Sequence, residues 1–198
     1  MPRTKEQFEA MRLATSEKIL AAAGELFAKK GLAGTNVQEI ADLAGISIGL
    51  LYRHYKTKEE LFDALVSEAS DGLAEVAKLF LSDAPPVKII ENFCKEVVTD
   101  VEKNDDFNNS IMLITQAITS GNQSAALQTL LMRDKEMFDA LKKLVERGQS
   151  ERVCRPGNPY DLALLFCSML QGISQFKLVL KEEYKAPAPE SLSSILLV

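Results

Sequence analysis

The chain has 198 residues, 46% of them hydrophobic and 26% charged, with one histidine, three cysteines and no tryptophan. Its net charge of −5 argues against a general polyanion binder, which would carry a broad basic surface. The single histidine excludes metal sites built on two or three histidines, and widely spaced cysteines without a C-x-x-C pair give no zinc site.

Residues 1–14 are polar and mixed in charge, and read as a partly ordered arm. Residues 1–20 carry scattered charges and no apolar run of the kind a cleavable leader needs. From Ser16 onward Ile19, Leu20, Ala23, Leu26 and Phe27 keep helical spacing. That helix should stop at Lys29, Lys30 and Gly31, where cations and a glycine suit a C-terminus. Two short helical patterns then flank the break Ala44-Gly45-Ile46. Thr35, three residues before Gln38, predicts a capping box at the start of the first. Ile40, Leu43 and Ala44 share its inner face, and Ala41 is small enough for a close crossing. Gly45 can take the positive φ of a sharp turn. Ser47 caps the second short helix, with Ile46 and Leu51 turned to the core. Helix, glycine-containing turn and helix make a helix-turn-helix, whose second helix can enter a DNA major groove.

Thr57, three residues before Glu60, should cap a fourth helix from Lys58 to Leu81, about 36 Å long at 1.5 Å per residue. Beyond the break at residues 82–86, Val87 to Val101 is amphipathic, and Asn104 to Asn109 reads as a polar turn. An apolar run from Ile111 to Ile118 follows, then a break at Ser120-Gly121-Asn122 and a long helix from Ser124 to Arg147. Gly148 to Pro159 reads as a loop. Tyr160 to Lys181 is apolar around most of its circumference, implying burial on all sides, while its polar interruptions and length argue against a bilayer span. After residues 185–189 comes an apolar tail, Leu192 to Val198. With no alternating strand pattern, the expected fold is all-α with about nine helices.

The run AGISIGLLYRHYKTKEELF, with ILAAAGELFAKKG and GTNVQEIADLAG before it, resembles the DNA-binding domain of TetR-family transcriptional regulators over roughly the first 66 residues. The resemblance implies a three-helix DNA-binding domain, residues 1–60, joined by the long fourth helix to an effector-binding and dimerisation domain, residues 61–198. It implies a cytoplasmic homodimer that binds operator DNA and is released by a small-molecule effector, with no cofactor and no membrane. Residue by residue, Thr35 and Asn36 at the start of the second helix would hold a phosphate. Tyr52, His54 and Lys58 would contact the backbone as well. Ser47, Ile48, Gly49, Leu50 and Arg53 would lie nearest the bases. Many relatives carry a basic residue where Ile48 stands and threonine where Leu50 stands. Apolar side chains there can meet thymine methyls but not guanine, which leaves Arg53, a close approach at Gly49 and DNA shape to carry specificity.

Charge fits this division. Residues 1–66 hold nine Lys or Arg and nine Asp or Glu, so the whole excess of −5 falls on the remainder. Arg3, Lys5 and Arg12 could form a minor-groove arm or simply a solvated terminus. Ile48 and Leu50 could instead meet a protein partner, which is the rival reading of the helix-turn-helix. No G-x-S-x-G, Walker or dinucleotide fingerprint supports an enzyme. For a mostly apolar effector the candidates are Phe93, Met112, Phe138, Phe166 and Met169, with Gln116 and Gln171 as polar anchors, each of which could equally be core or interface. The helix from Tyr160 and the tail from Leu192 are the expected dimer interface. Cys94 and Cys167, in apolar helices, read as structural thiols rather than redox sensors.

Overall fold

Short polar side chains fix where the helices begin. The computed structural model describes residues 4–103, 105–119 and 123–198, with only the backbone of Asp106. In chain order these form α1 (Lys5–Gly34), α2 (Val37–Leu43), α3 (Ile48–His54), α4 (Lys58–Phe80), α5 (Pro86–Lys103), α6 (Asp105–Thr119), α7 (Ala125–Ser150), α8 (Pro159–Leu180) and α9 (Pro189–Ser193). Ser47, Thr57, Ser124 and Asn158 each accept a backbone N–H at the start of α3, α4, α7 and α8. Among the described residues the only β pairing is an isolated bridge between Cys154 and Leu197.

Several boundaries differ from the sequence expectation. The arm is helical from Lys5, because Thr4 and Gln7 form a reciprocal capping box ahead of good helix formers. Gly31 does break α1, at φ 73° and ψ 168°, but a further short turn runs to Gly34. The cap of α2 is Asn36, boxed with Glu39, and Thr35 lies outside it. Leu43 points outward, 49% exposed, while Ile40 and Ala41 are buried. Of the expected polar turn at 104–109, Asn104 lies outside the described residues and the rest belongs to α6, where Asn108 Nδ2 donates to the Val101 carbonyl at 3.0 Å. Gly148 is no loop residue: it is buried within α7 under Cys154, whose sulfur a Cβ would strike. The expected break at residues 120–122 lies outside the described residues.

Two apolar clusters hold these helices together. The first joins Ile19, Ala23 and Phe27 of α1 to Ile40, Leu51, Leu61, Phe62 and Val66, with Phe27 and Phe62 edge-to-face at 5.4 Å. It continues into Leu113 and Ala117 of α6 and Leu127 and Leu130 of α7. The second is built from Phe80, α5, the C-terminal half of α7, and Ala163 and Phe166 of α8.

The C-terminal tail belongs to that second cluster. Leu192 and Leu196 are buried, α9 packs on α5, and the Arg155 amide donates to the Leu196 carbonyl. The tail therefore fills its own protomer and leaves the expected dimer surface to α8. The picture of α8 also changes. Only Ala163, Phe166 and Ser174 are buried, whereas Leu165, Phe176 and Val179 are at least 60% exposed. Nor is α8 too short for a bilayer, since 22 residues rise about 33 Å and the segment is long and apolar enough to cross one. Lys177, however, ties it to the body by an ion pair with Asp105 and a hydrogen bond to the Glu102 carbonyl.

Candidate nucleic-acid interface and an internal cavity

The turn between α2 and α3 has the geometry a helix-turn-helix requires. The Gly45 N–H donates to Asp42 and the Ile46 N–H to Ala41, with Gly45 at φ 67°. Ser47 Oγ then accepts the Leu50 amide at 3.2 Å and starts α3. Leu51 is the buried anchor of α3; Ile48, Gly49, Tyr52 and Arg53 face solvent, and Leu50 and His54 are half-buried. Gly49 is helical, and a Cβ built on it would meet nothing within 4 Å. Nothing inside the protomer asks for glycine there. The helix is steadied from behind by the Tyr55 hydroxyl, 2.9 Å from Ser16 Oγ, and by the Lys56 ammonium on the Tyr52 carbonyl.

Thr35 and Lys58 do different work from that expected. Thr35 is 3% exposed, and its hydroxyl donates to the Gly31 carbonyl at 2.8 Å. Its own carbonyl accepts Lys58 Nζ at 3.0 Å. The two residues lock α4 to the end of α1, leaving Asn36 as the outward-facing residue at the start of α2. Glu39 sits at that same helix start, holding the Asn36 amide and Lys30. These contacts keep its carboxyl below the usual range, the Lys30 bond first and the Asn36 amide second.

Away from this surface, α1, α4, α5, α6, α7 and α8 line a partly open cavity of about 780 Å³. Its wall is mostly apolar and includes Leu73, Val76, Phe93, Met137, Phe138 and Phe166. Phe93 lies 5.0 Å from Phe80 and 6.2 Å from Phe166 between ring centroids. A space of this size and polarity suits a small organic molecule.

A family model described as "Bacterial regulatory proteins, tetR family" matches residues 19–65. The HTH-type transcriptional repressor KstR2 of Mycobacterium tuberculosis is 39% identical over 150 residues, spanning 75% of this chain and 74% of that protein. The chain belongs to the TetR family. Two solved TetR-type folds extend the likeness to nearly the whole length. The MbdR regulator from Azoarcus sp. CIB superposes with a TM-score of 0.75 over 92% of this chain and 97% of its own, at 22% identity. AibR, crystallised with isovaleryl coenzyme A and operator DNA, gives 0.72 over 90% and 94%, also at 22% identity. Family membership makes the protein a DNA-binding transcriptional regulator and not an enzyme.

Within this TetR fold the candidate effector residues separate. Phe93, Phe138, Phe166 and Gln171 line the cavity. Met112, Gln116 and Met169 do not: neighbouring residues of α6 and α8 face the space instead, and Met169 packs against the second cluster. Gln116 reaches the other way. Its Nε2 donates to the Ala28 carbonyl of α1 at 2.9 Å, just before the Gly31 break. Sequence reasoning missed Leu73, Val76 and Met137, whose helical spacing marked them only as apolar, and Asp134, which sits among charged neighbours in α7. Of the thiols, burial pushes Cys94 up to about 12 and Cys167, a cavity-wall residue, up to about 11. Both shifts disfavour the thiolate that redox or nucleophilic chemistry needs.

Proposed function

We propose that this regulator is a homodimeric repressor, released from a palindromic operator when a mostly apolar small molecule occupies the cavity. Residues 1–60 form the reading head and residues 61–198 the effector and dimerisation body. Ser47, Ile48, Gly49, Leu50 and Arg53 approach the bases, and Asn36, Tyr52 and His54 approach the phosphates. Thr35 and Lys58 brace the head from within. Operator binding belongs in the compartment that holds DNA, so we place the protein in the cytoplasm. The exposed stripe of α8 supplies the dimer interface.

One observation carries this reading: α1, α4 and α6 contribute both to the core of the head and to the wall of the cavity. A molecule seated there acts on the helices that orient α3. Cavity residues Ser110, Ile111 and Ile114 precede Gln116 on α6, so movement of α6 pulls on the Ala28 carbonyl. The effector must favour the arrangement whose heads no longer match half-sites about 34–36 Å apart. The ligand complex of AibR supports a regulator of this kind.

Selection from a random duplex pool at about 150 mM salt tests the reading. Enrichment of a palindrome with half-sites one turn apart is the expected result. No enrichment, from folded and dimeric protein, would favour docking of a protein partner on α3.

A further inference from the structure

The cavity wall has a charge pattern that its apolar character hides. Among the described residues three carboxylates line it, Glu17 of α1, Glu68 of α4 and Asp134 of α7, and no lysine, arginine or histidine does. None of the three is in an ion pair among the described residues. Glu17 and Glu68 are exposed. Asp134 is half-buried beside Cys167 and Phe138, on the wall that also carries Phe93 and Phe166. Burial raises its carboxyl above the ordinary range, because the charged form is poorly solvated on this wall. An anionic ligand would meet like charge and find no cation on this wall. A ligand with a positive head would supply the missing partner, and the phenylalanine faces would stabilise it further.

We propose that the effector is a mostly apolar molecule bearing a cationic nitrogen, with that nitrogen held by Asp134. This inference rests on the reading of the cavity as the effector site. The apolar body lies against Phe93, Phe138 and Phe166, and Glu17 and Glu68 attract the ligand on its way in.

The test uses the full-length protein and three probes of one chain length, n-decylamine, n-decanol and n-decanoate, with affinities measured calorimetrically. The expected order is amine, alcohol, carboxylate, with at least about a tenfold preference for the amine over the alcohol. In Asp134→Asn that preference should collapse while affinity for decanol stays. Thermal unfolding of the variant checks its fold, and Asp134→Glu, which keeps the charge, should restore part of the preference. Decanoate binding as tightly as the amine, or a preference that survives Asp134→Asn, overturns the cationic class and leaves the cavity reading standing. If none of the three binds protein that still binds DNA, the cavity reading falls and this inference with it.

Discussion

Helices α3 and α8 both turn apolar side chains to solvent, and what lies between those side chains separates the uses proposed for them. On α3, Ile48 and Tyr52 alternate with Gly49 and Arg53, so the exposed face is narrow, uneven and carries a cation. On α8, Leu165, Phe176, Val179 and Leu180 extend along a helix of 22 residues. A face that carries a cation suits a charged groove with methyl groups on its floor, whereas one interrupted only by the uncharged Ser168, Gln171 and Gln175 suits a copy of itself. Exposed apolar area alone would not have told the two apart.

The strongest way to break this contrast is to charge the α8 face. Leu165→Glu combined with Val179→Glu should turn the proposed dimer into a monomer in analytical ultracentrifugation and lower operator affinity by more than about a hundredfold, as two linked heads become one. A dimer that survives would remove α8 from the interface. Next in size is Arg53→Ala, which should cost about 1–3 kcal/mol of operator binding and relax preference at one position of each half-site, read by titration against single-base variants. Gln116→Leu keeps the head and the cavity but leaves the Ala28 carbonyl without its donor. Effector and operator affinities measured separately should hold, while the effect of one on the other falls by about 0.5–2 kcal/mol.

Gly49→Ala sharpens the comparison by opposing stability to function. With nothing within 4 Å of the new methyl group, the helix should gain about 0.5–1 kcal/mol. Operator binding should nevertheless weaken, because the methyl group occupies the space where DNA approaches. A variant more stable in thermal melts and equally tight on DNA would show that α3 presents no close contact at this position.

The smallest effect expected is at the start of α2. Glu39, held below its ordinary 4.5 by Lys30 and the Asn36 amide, contributes stability that is present above that value and lost as pH falls through the lowered one. Glu39→Gln should flatten the acid side of the stability profile, followed by circular dichroism from pH 6 to about pH 3.

The reading head was largely legible in the sequence because its signals are local. Ser47, Gly45 and Leu51 have roles that follow from caps, turns and helical phase within a few residues. The error at Thr35 has the same origin: two capping residues stand side by side, and Asn36–Glu39 satisfies the box that Thr35–Gln38 suggested. The body was less legible because its helices are placed by distant partners. The sequence marks Leu192 and Leu196 as apolar, but nothing near them says that α5 will bury them. Likewise Gln116 and Gln171 are both polar breaks in apolar helices, yet one grips α1 and the other lines the cavity. Helical phase orients a side chain around its own axis and is silent on which neighbour stands opposite.

Helix α1 gives Ile19, Ala23 and Phe27 to the core of the head, while Glu17, Leu20, Ala21 and Gly24 of the same turns line the cavity. A chimera that grafts this head onto another regulator's body would therefore carry one wall of the original cavity with it. Re-targeting the protein to a new operator is safest by substitutions on α3, which leave α1 in place. If the cavity is the effector site proposed above, exchange of the whole N-terminal segment would alter what the protein senses together with what it reads.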